Sequence, residues 1–381
     1  MTLLGFLAFL SLALTVWQWI AARRFPLHRR LGRAEATPAV TVLKPLRGCD
    51  TETRACLESW LRQDYPGALQ FLFGVESGDD PACEVVRGLQ AAFPRADARL
   101  VVCPESLGPN AKVSTLAQLE PLVKHDLILV SDADVRVPPD FLVNAAAPFR
   151  DPAVGLVNPF YRLANPASTA MRWEEIAVNA DFWTSVLQAR AFGPMRFALG
   201  AVMIARRRRL EGIGGFKSLV NHLADDYELG RRIVRNGGEI VLCPVVVDCC
   251  EAPQGWRAVW RHQLRWSRTI RVCQPLPYAL SILSNPTLWP ALWAGVQPGA
   301  AAFTGVAVCL AVRLLTAADN QRRLARSWHH LPWLWLVPVK DLLQFLLWVL
   351  SFVGNRVEWR GRRFRVQRGG RLVREGECVA G

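Results

Sequence analysis

The sequence predicts an α/β domain with a mostly parallel sheet, flanked by apolar helices near both ends of the chain. Three observations carry this. Short apolar runs alternate with stretches of helical spacing between Pro38 and Pro253. Several of those runs stop on carboxylates. The hydrophobic residues, 51% of 381, crowd the two ends.

Residues 2–20, "TLLGFLAFLSLALTVWQWI", carry no charge and are long enough to cross a bilayer, so residues 1–22 read as a transmembrane helix. A cleaved signal would have its positive charge before the apolar core; here Arg23, Arg24, Arg29 and Arg30 follow it. The positive-inside rule places the N-terminus outside and the chain from about residue 22 in the cytoplasm. The runs "AVTVLKPL", "LQFLFGVES", "ARLVVCP" and "DLILVSDADV" then read as strands, with "TETRACLESWLRQ" and "DPACEVVRGLQAAF" as helices between them. Such alternation requires right-handed crossovers, and ligands gather at the carboxyl ends of the strands. Asp80, Asp132 and Asp134 stand just past such ends.

The domain so outlined spans 38–272, and 273–353 is a different material, rich in Trp and Pro. Charge parity favours an interfacial stretch, one crossing near 292–315 and a second at 331–353. A re-entrant segment at 331–353 is the alternative, because Lys340-Asp341 interrupts it. Residues 354–381 form a basic tail, assigned to the cytoplasm. The expected location is therefore a bacterial inner membrane, multi-pass, with the domain facing the cytoplasm; the bacterial assignment rests on an Ala- and Arg-rich composition.

A formal charge of +14, almost all arginine, points to an anionic membrane surface or a phosphorylated substrate. Nucleic acid is set aside, since no helix-turn-helix, zinc-finger or RNA-binding signature is present. The ten cysteines include no CxxC pair and are expected to be reduced and mostly buried.

Two aspartates one residue apart at a strand end, Asp132 and Asp134 in "SDADV", suit Mg²⁺ or Mn²⁺ holding a diphosphate. Alone, the triplet equally suits a solvated turn. "GDDPA" adds Asp79 and Asp80. "LADDYELGRR" adds Asp225 and Asp226 at a helix start, where capping is the plainer explanation. "WRHQLRWSRTIR" puts His262, Arg265, Trp266 and Arg268 on one helix, a pattern also shown by interfacial anchors.

Taken together, "VLKPLRGCDTETRACLESWLRQDYP", "GVESGDDPA", "GPNAKVSTL", "SDADVRVPPD", "GGFKSLVNHLADDYELGRRI", "RHQLRW" and "VEWRGRRFRV" resemble membrane-bound inverting glycosyltransferases of the GT-A fold, whose signature runs D, DxD, D, (Q/R)xxRW. The resemblance is strongest to the ceramide glucosyltransferase family, which includes the bacterial hopanoid-biosynthesis glycosyltransferases. It implies a Rossmann-like GT-A domain binding a UDP-sugar through Lys44, Pro45, Glu76, Asp80, Asn110, Lys112, Asp132 and Arg265. It implies Asp132 and Asp134 as ligands of Mg²⁺ or Mn²⁺, and Asp226 as general base with Asp225 raising its proton affinity. Arg265 would meet the charge on departing UDP, Trp266 would border the acceptor or brace the helix, and His262, where the pattern has Gln or Arg, would bond a phosphate oxygen. The implied reaction moves one sugar to a membrane lipid: N-acetylglucosamine to a hopanoid polyol, or glucose to ceramide. A processive polysaccharide synthase and an inactive membrane scaffold are the rival readings.

Overall fold

The computed structural model describes residues 2–30, 37–359 and 362–374. Arg360-Gly361 of the tail motif and the tail end, 375–381, lie outside the described residues. By packing, the chain forms two compact units: residues 28–165, 194–252 and 370–381, and residues 1–27, 166–193 and 253–369. This division falls elsewhere than the expected 38–272, because helices within 166–193 and 253–272 pack with the apolar helices.

The first unit is built on eight strands: β1 Val40–Pro45, β2 Leu69–Val75, β3 Asp97–Val102, β4 Leu127–Ser131, β5 Val135–Arg136, β6 Val154–Leu163, β7 Val202–Arg206 and β8 Glu239–Cys249. Their order is β3-β2-β1-β4-β7-β6-β8-β5. β1 to β4 are parallel, β7 runs against β4 and β6, and β5 runs against β8. The chain lays β2 and β3 on one side of β1 and returns to lay β4 on the other. That reversal is a topological switch point, where a crevice opens beyond the carboxyl ends of β1 and β4. Every residue of β1 and β4 is buried, including the polar Thr41, Lys44 and Ser131 that interrupt their mostly apolar runs.

Helices Ala111–Leu119 and Asp225–Arg235 close one face of the core. Leu116 and Leu119 from the first, and Leu229 and Ile233 from the second, pack with Leu43, Leu72 and Val130 of the sheet. Each such leucine contributes about 1.5–3 kcal/mol by leaving water. Asn110 caps the first helix, its side chain accepting from the Val113 amide at 3.1 Å. In the second helix Gly230 permits close approach: a Cβ there would stand 2.3 Å from the Ala198 nitrogen.

The second unit is helical. Leu3–Arg24 and Ala300–Ala325 are, among the described residues, the two helices long and apolar enough to cross a membrane. With them pack Thr169–Ile176, a π-turn at Ala177–Phe182, Trp183–Arg190, Trp256–Cys273 and Leu336–Phe352. The crossing expected near 292–315 begins instead at Ala300, since Gln297-Pro298 separates it from a short helix at Leu288–Val296. The segment expected at 331–353 is helical over Leu336–Phe352, 17 residues or about 25 Å. Its Lys340 and Asp341 are buried and partnered. Arg313 donates to Asp181 at 2.8 and 2.9 Å and to Asp341 at 2.7 and 2.9 Å, Lys340 pairs with Asp181, and the Thr287 hydroxyl donates to Asp341 at 2.7 Å. Two positive and two negative groups thus satisfy one another, with Arg313, Lys340 and Asp341 buried and Asp181 partly exposed. The N-terminal helix joins through Gln18, which donates to Thr184 and Ser185, and through Trp19 and Arg23, which donate to Asp319.

The tail, read from sequence as basic and polar, forms strands: β9 Arg356–Trp359 and β10 Arg362–Gln367, antiparallel, and β11 Arg371–Arg374. Arginines alternating with Val357, Phe364, Val366 and Leu372 give the period of two that this requires. The nine described cysteines are free thiols, seven of them buried.

Candidate active site

At the carboxyl end of β4 the chain leaves the sheet as Asp132-Ala133-Asp134, anchored by its backbone. The Asp132 amide donates to the Ala201 carbonyl at 3.1 Å. Lys44, fully buried on β1, donates from Nζ to the Ser131 hydroxyl at 2.9 Å and to the Asp132 carbonyl at 2.8 Å, and lies over the Trp60 ring. Burial pulls its pKa down to about 7, against the pull of Asp134. These contacts make Lys44 a brace beneath the acidic loop.

Lys112, at the start of helix Ala111–Leu119, joins the two acid pairs. Its ammonium is 2.6 Å from Asp132 Oδ1 and 3.8 Å from Asp225 Oδ2. Burial opposes its charge, but Asp132 and Asp225 outweigh that and raise its pKa, so it stays protonated. Asn110 is wholly buried, and its amide donates to the His222 carbonyl at 2.8 Å and to Asp225 Oδ1 at 3.4 Å. Gly200 sets the clearance around the last acid, since a Cβ there would meet Asp226 Oδ2 at 2.9 Å. The stretch Gly200-Ala201 therefore touches Asp226 with one residue and Asp132 with the next.

Both Asp134 and Asp226 have proton affinities raised to about 7. For Asp134 the causes are burial, then Asp132 and Glu251; for Asp226 they are burial, then Asp225. The Tyr227 amide, donating to Asp226 Oδ1 at 2.8 Å, acts the other way. Asp80 holds a loop: both its oxygens accept from the Gly48 amide at 3.0 Å, and Oδ1 also accepts from Ala82 at 2.9 Å. Pro45 is buried at the end of β1, and half-exposed Glu76 lies 4.0 Å from Arg47.

His262, Arg265 and Trp266 stand on helix Trp256–Cys273 in the helical unit. His262 Nδ1 is 2.7 Å from Glu174 Oε1, which also accepts from Gln263 at 2.7 Å. Trp266 packs edge-on to His262 and beside Phe182. Arg265 is half-buried.

Sequence reasoning missed Gly200, Ala201, Glu251 and Glu174. A Gly-Ala pair ahead of a strand carries no chemical signal, and a glutamate gains meaning only from what folds against it.

The acidic loop fits a divalent cation by its donor set. Two hard carboxylates stand one residue apart, and burial, then Asp132 and Glu251, push Asp134 toward the neutral form, an effect that a cation opposes. Among the described residues no cluster of three His, Cys, Asp or Glu forms there, so two carboxylates would leave ligand positions for substrate phosphates.

A model of glycosyl transferase family 21 matches residues 3–372. Ceramide glucosyltransferase 3 of Caenorhabditis elegans is 25% identical over 217 residues, covering 56% of this chain and 46% of that protein. An N-acetylglucosaminyltransferase of Rhizobium leguminosarum bv. viciae is 24% identical over 243 residues, covering 61% of this chain and 55% of that protein. The chain thus spans about half the length of these two relatives. A mannosyltransferase from Pyrobaculum calidifontis, solved with GDP-mannose and Mn²⁺, superposes with a TM-score of 0.51 at 21% identity, over 90% of this chain and 99% of that one.

Proposed function

The chain belongs to glycosyl transferase family 21, and from that premise we propose that it moves one sugar from a UDP-sugar to the hydroxyl of a membrane lipid by a single inverting displacement. The observation that carries this reading is the Lys112 ammonium set between Asp132 and Asp225. One buried cation ties the acid pair suited to the donor to the pair suited to the acceptor.

Asp226 is the general base. Displacement at an anomeric carbon needs a hydroxyl aligned opposite the leaving group and a carboxylate able to take its proton. A proton affinity near neutrality suits that task better than that of an ordinary aspartate. Asp132 and Asp134 would hold Mg²⁺ or Mn²⁺, which when bound supplies neutralisation of the diphosphate charge. Lys44 fixes the backbone of that loop, Asp80 fixes the loop after β1, and Lys112 holds Asp132 in place. The family pattern gives Arg265 the charge on departing UDP and His262 a phosphate oxygen. The Glu174 contact sets which nitrogen of His262 is left for that bond.

The lipid class is supported by the two long apolar helices, which expose Leu3, Phe9, Phe303 and Leu315. A soluble nucleotide-sugar needs no such surface, whereas a lipid alcohol does. N-acetylglucosamine transferred to a hopanoid polyol in a bacterial inner membrane is the first assignment within this class; the rhizobial N-acetylglucosaminyltransferase supports its donor sugar alone. Glucose transferred to ceramide is the second, supported by the ceramide glucosyltransferases. Expression in a host lacking both glycolipids, with each UDP-sugar and lipid offered in turn and the products read by mass spectrometry, separates the two. Formation of neither, or of a polymer, overturns the reading.

A further inference from the structure

The base carboxylates follow a short loop, Asn221-His222-Leu223, and that loop is held from both sides. On one side Asn110 is the anchor: its backbone amide donates to the Val220 carbonyl at 2.9 Å and its side chain to the His222 carbonyl at 2.8 Å. On the other side lies the start of the C-terminal strand. The Leu223 amide donates to the Gly370 carbonyl at 2.9 Å, the Leu372 amide donates to the Asn221 carbonyl at 2.8 Å, and His222 faces Arg371 as an antiparallel bridge. The C=O and N–H of one peptide group point in opposite directions, which is why the His222 carbonyl serves Asn110 while the Leu223 amide of the same group serves the tail. Leu372 is buried and Arg371 is exposed. Gly370 reaches this position at φ +80°, a conformation open mainly to glycine.

We propose that residues 370–372 are a positioning strap of the transfer reaction: they fix the Asn221–Leu223 loop and through it Asp225 and Asp226, and contribute no reacting group themselves. Only Ala224 separates the strapped Leu223 from Asp225. Freedom gained at the strap therefore passes to Asp225 within two residues and to Asp226 within three, each at most about 3.6 Å of chain. Among the described residues the strap has no contact with Asp132 or Asp134, and Asn110 keeps its own hold on the loop, so loosening the strap is expected to fall on kcat more than on donor affinity. This inference rests on the assignment of Asp226 as base.

The test uses the full-length protein in lipid nanodiscs. Leu372→Pro removes the amide that bonds Asn221, and Leu372→Ala keeps that amide but loses the buried side chain. Calorimetry with UDP-sugar gives both donor affinity and the fraction of competent sites, so kcat is expressed per donor-binding site; hydrogen exchange reports the Leu223 amide. Leu372→Pro is expected to lower kcat per site about tenfold, leave donor affinity within twofold and speed Leu223 exchange. Retention of kcat within threefold overturns the proposal. If Leu372→Pro loses donor binding altogether, Leu372→Ala decides: a fall of threefold or more supports the strap, and a smaller one overturns it. Asp226→Asn is measured in parallel. If it keeps turnover, the base assignment has failed, and the strap is then judged by Leu223 exchange alone, where unchanged protection in Leu372→Pro overturns it.

Discussion

At the scale of single residues, Asp226 concentrates the chemistry because two effects act on one carboxylate. Burial and the adjacent Asp225 raise its proton affinity to about 7. A base works only when deprotonated, so turnover should rise with pH through about 7 and then level off. Asp226→Asn should cost at least about a hundredfold in kcat, the usual scale for a positioned general base. Asp225→Asn removes the like charge, lowers the proton affinity of Asp226 and should move the acid limb of the rate profile to lower pH; an unmoved limb would detach that limb from Asp226. Gly200 gives a second, independent handle. Gly200→Ala places a methyl 2.9 Å from Asp226 Oδ2, closer than ordinary contact allows, so the carboxylate must turn. Steady-state kinetics should show kcat reduced roughly tenfold, about 1.4 kcal/mol, with the donor KM little changed.

At the scale of elements, the acid pairs meet because strands and helices deliver them, and only part of that delivery is written locally. The fully buried β1 and β4, the apolar spacing of helix Asp225–Arg235 and the single basic helix at Trp256–Cys273 follow from residue pattern alone. The strands of the tail did not stand out, because arginines at every second position mask a short β alternation. The helix Leu336–Phe352 was ambiguous for the same kind of reason: Lys340 and Asp341 are costly in lipid unless partnered, and their partners, Arg313 and Asp181, are distant in sequence. Removing one member of a buried ionic network leaves the others uncompensated, typically at 3–5 kcal/mol. Asp181→Asn should therefore lower the thermal stability of the protein in nanodiscs by several degrees, whereas Arg322→Ala, a half-exposed residue near the end of its helix, should leave it within about a degree. Equal effects would remove any special weight from the buried network.

At the scale of the whole molecule, an apolar helical unit and a net charge of +14 accompany an α/β unit of GT-A type. Chelation with EDTA should abolish transfer without loss of folded structure by circular dichroism, and added Mg²⁺ or Mn²⁺ should restore it. Activity that survives exhaustive chelation would sever Asp132 and Asp134 from a metal role. Flotation with vesicles should show membrane association that persists at high salt, because burial of apolar helices is not screened, whereas attraction between arginines and anionic headgroups is.

The sequence by itself determined the alternation of strands and helices, the acids at strand ends, the apolar helices near each end of the chain and the family pattern, since each is a local arrangement of residue types. Only the tertiary structure decided that Lys112 bridges two acid pairs, that Lys44 is a buried brace, that Gly200 clears space for Asp226 and that the tail straps the loop before it. Those relations depend on distances between residues tens to hundreds of positions apart, which are set when the sheet order and the packing of helices on it are set.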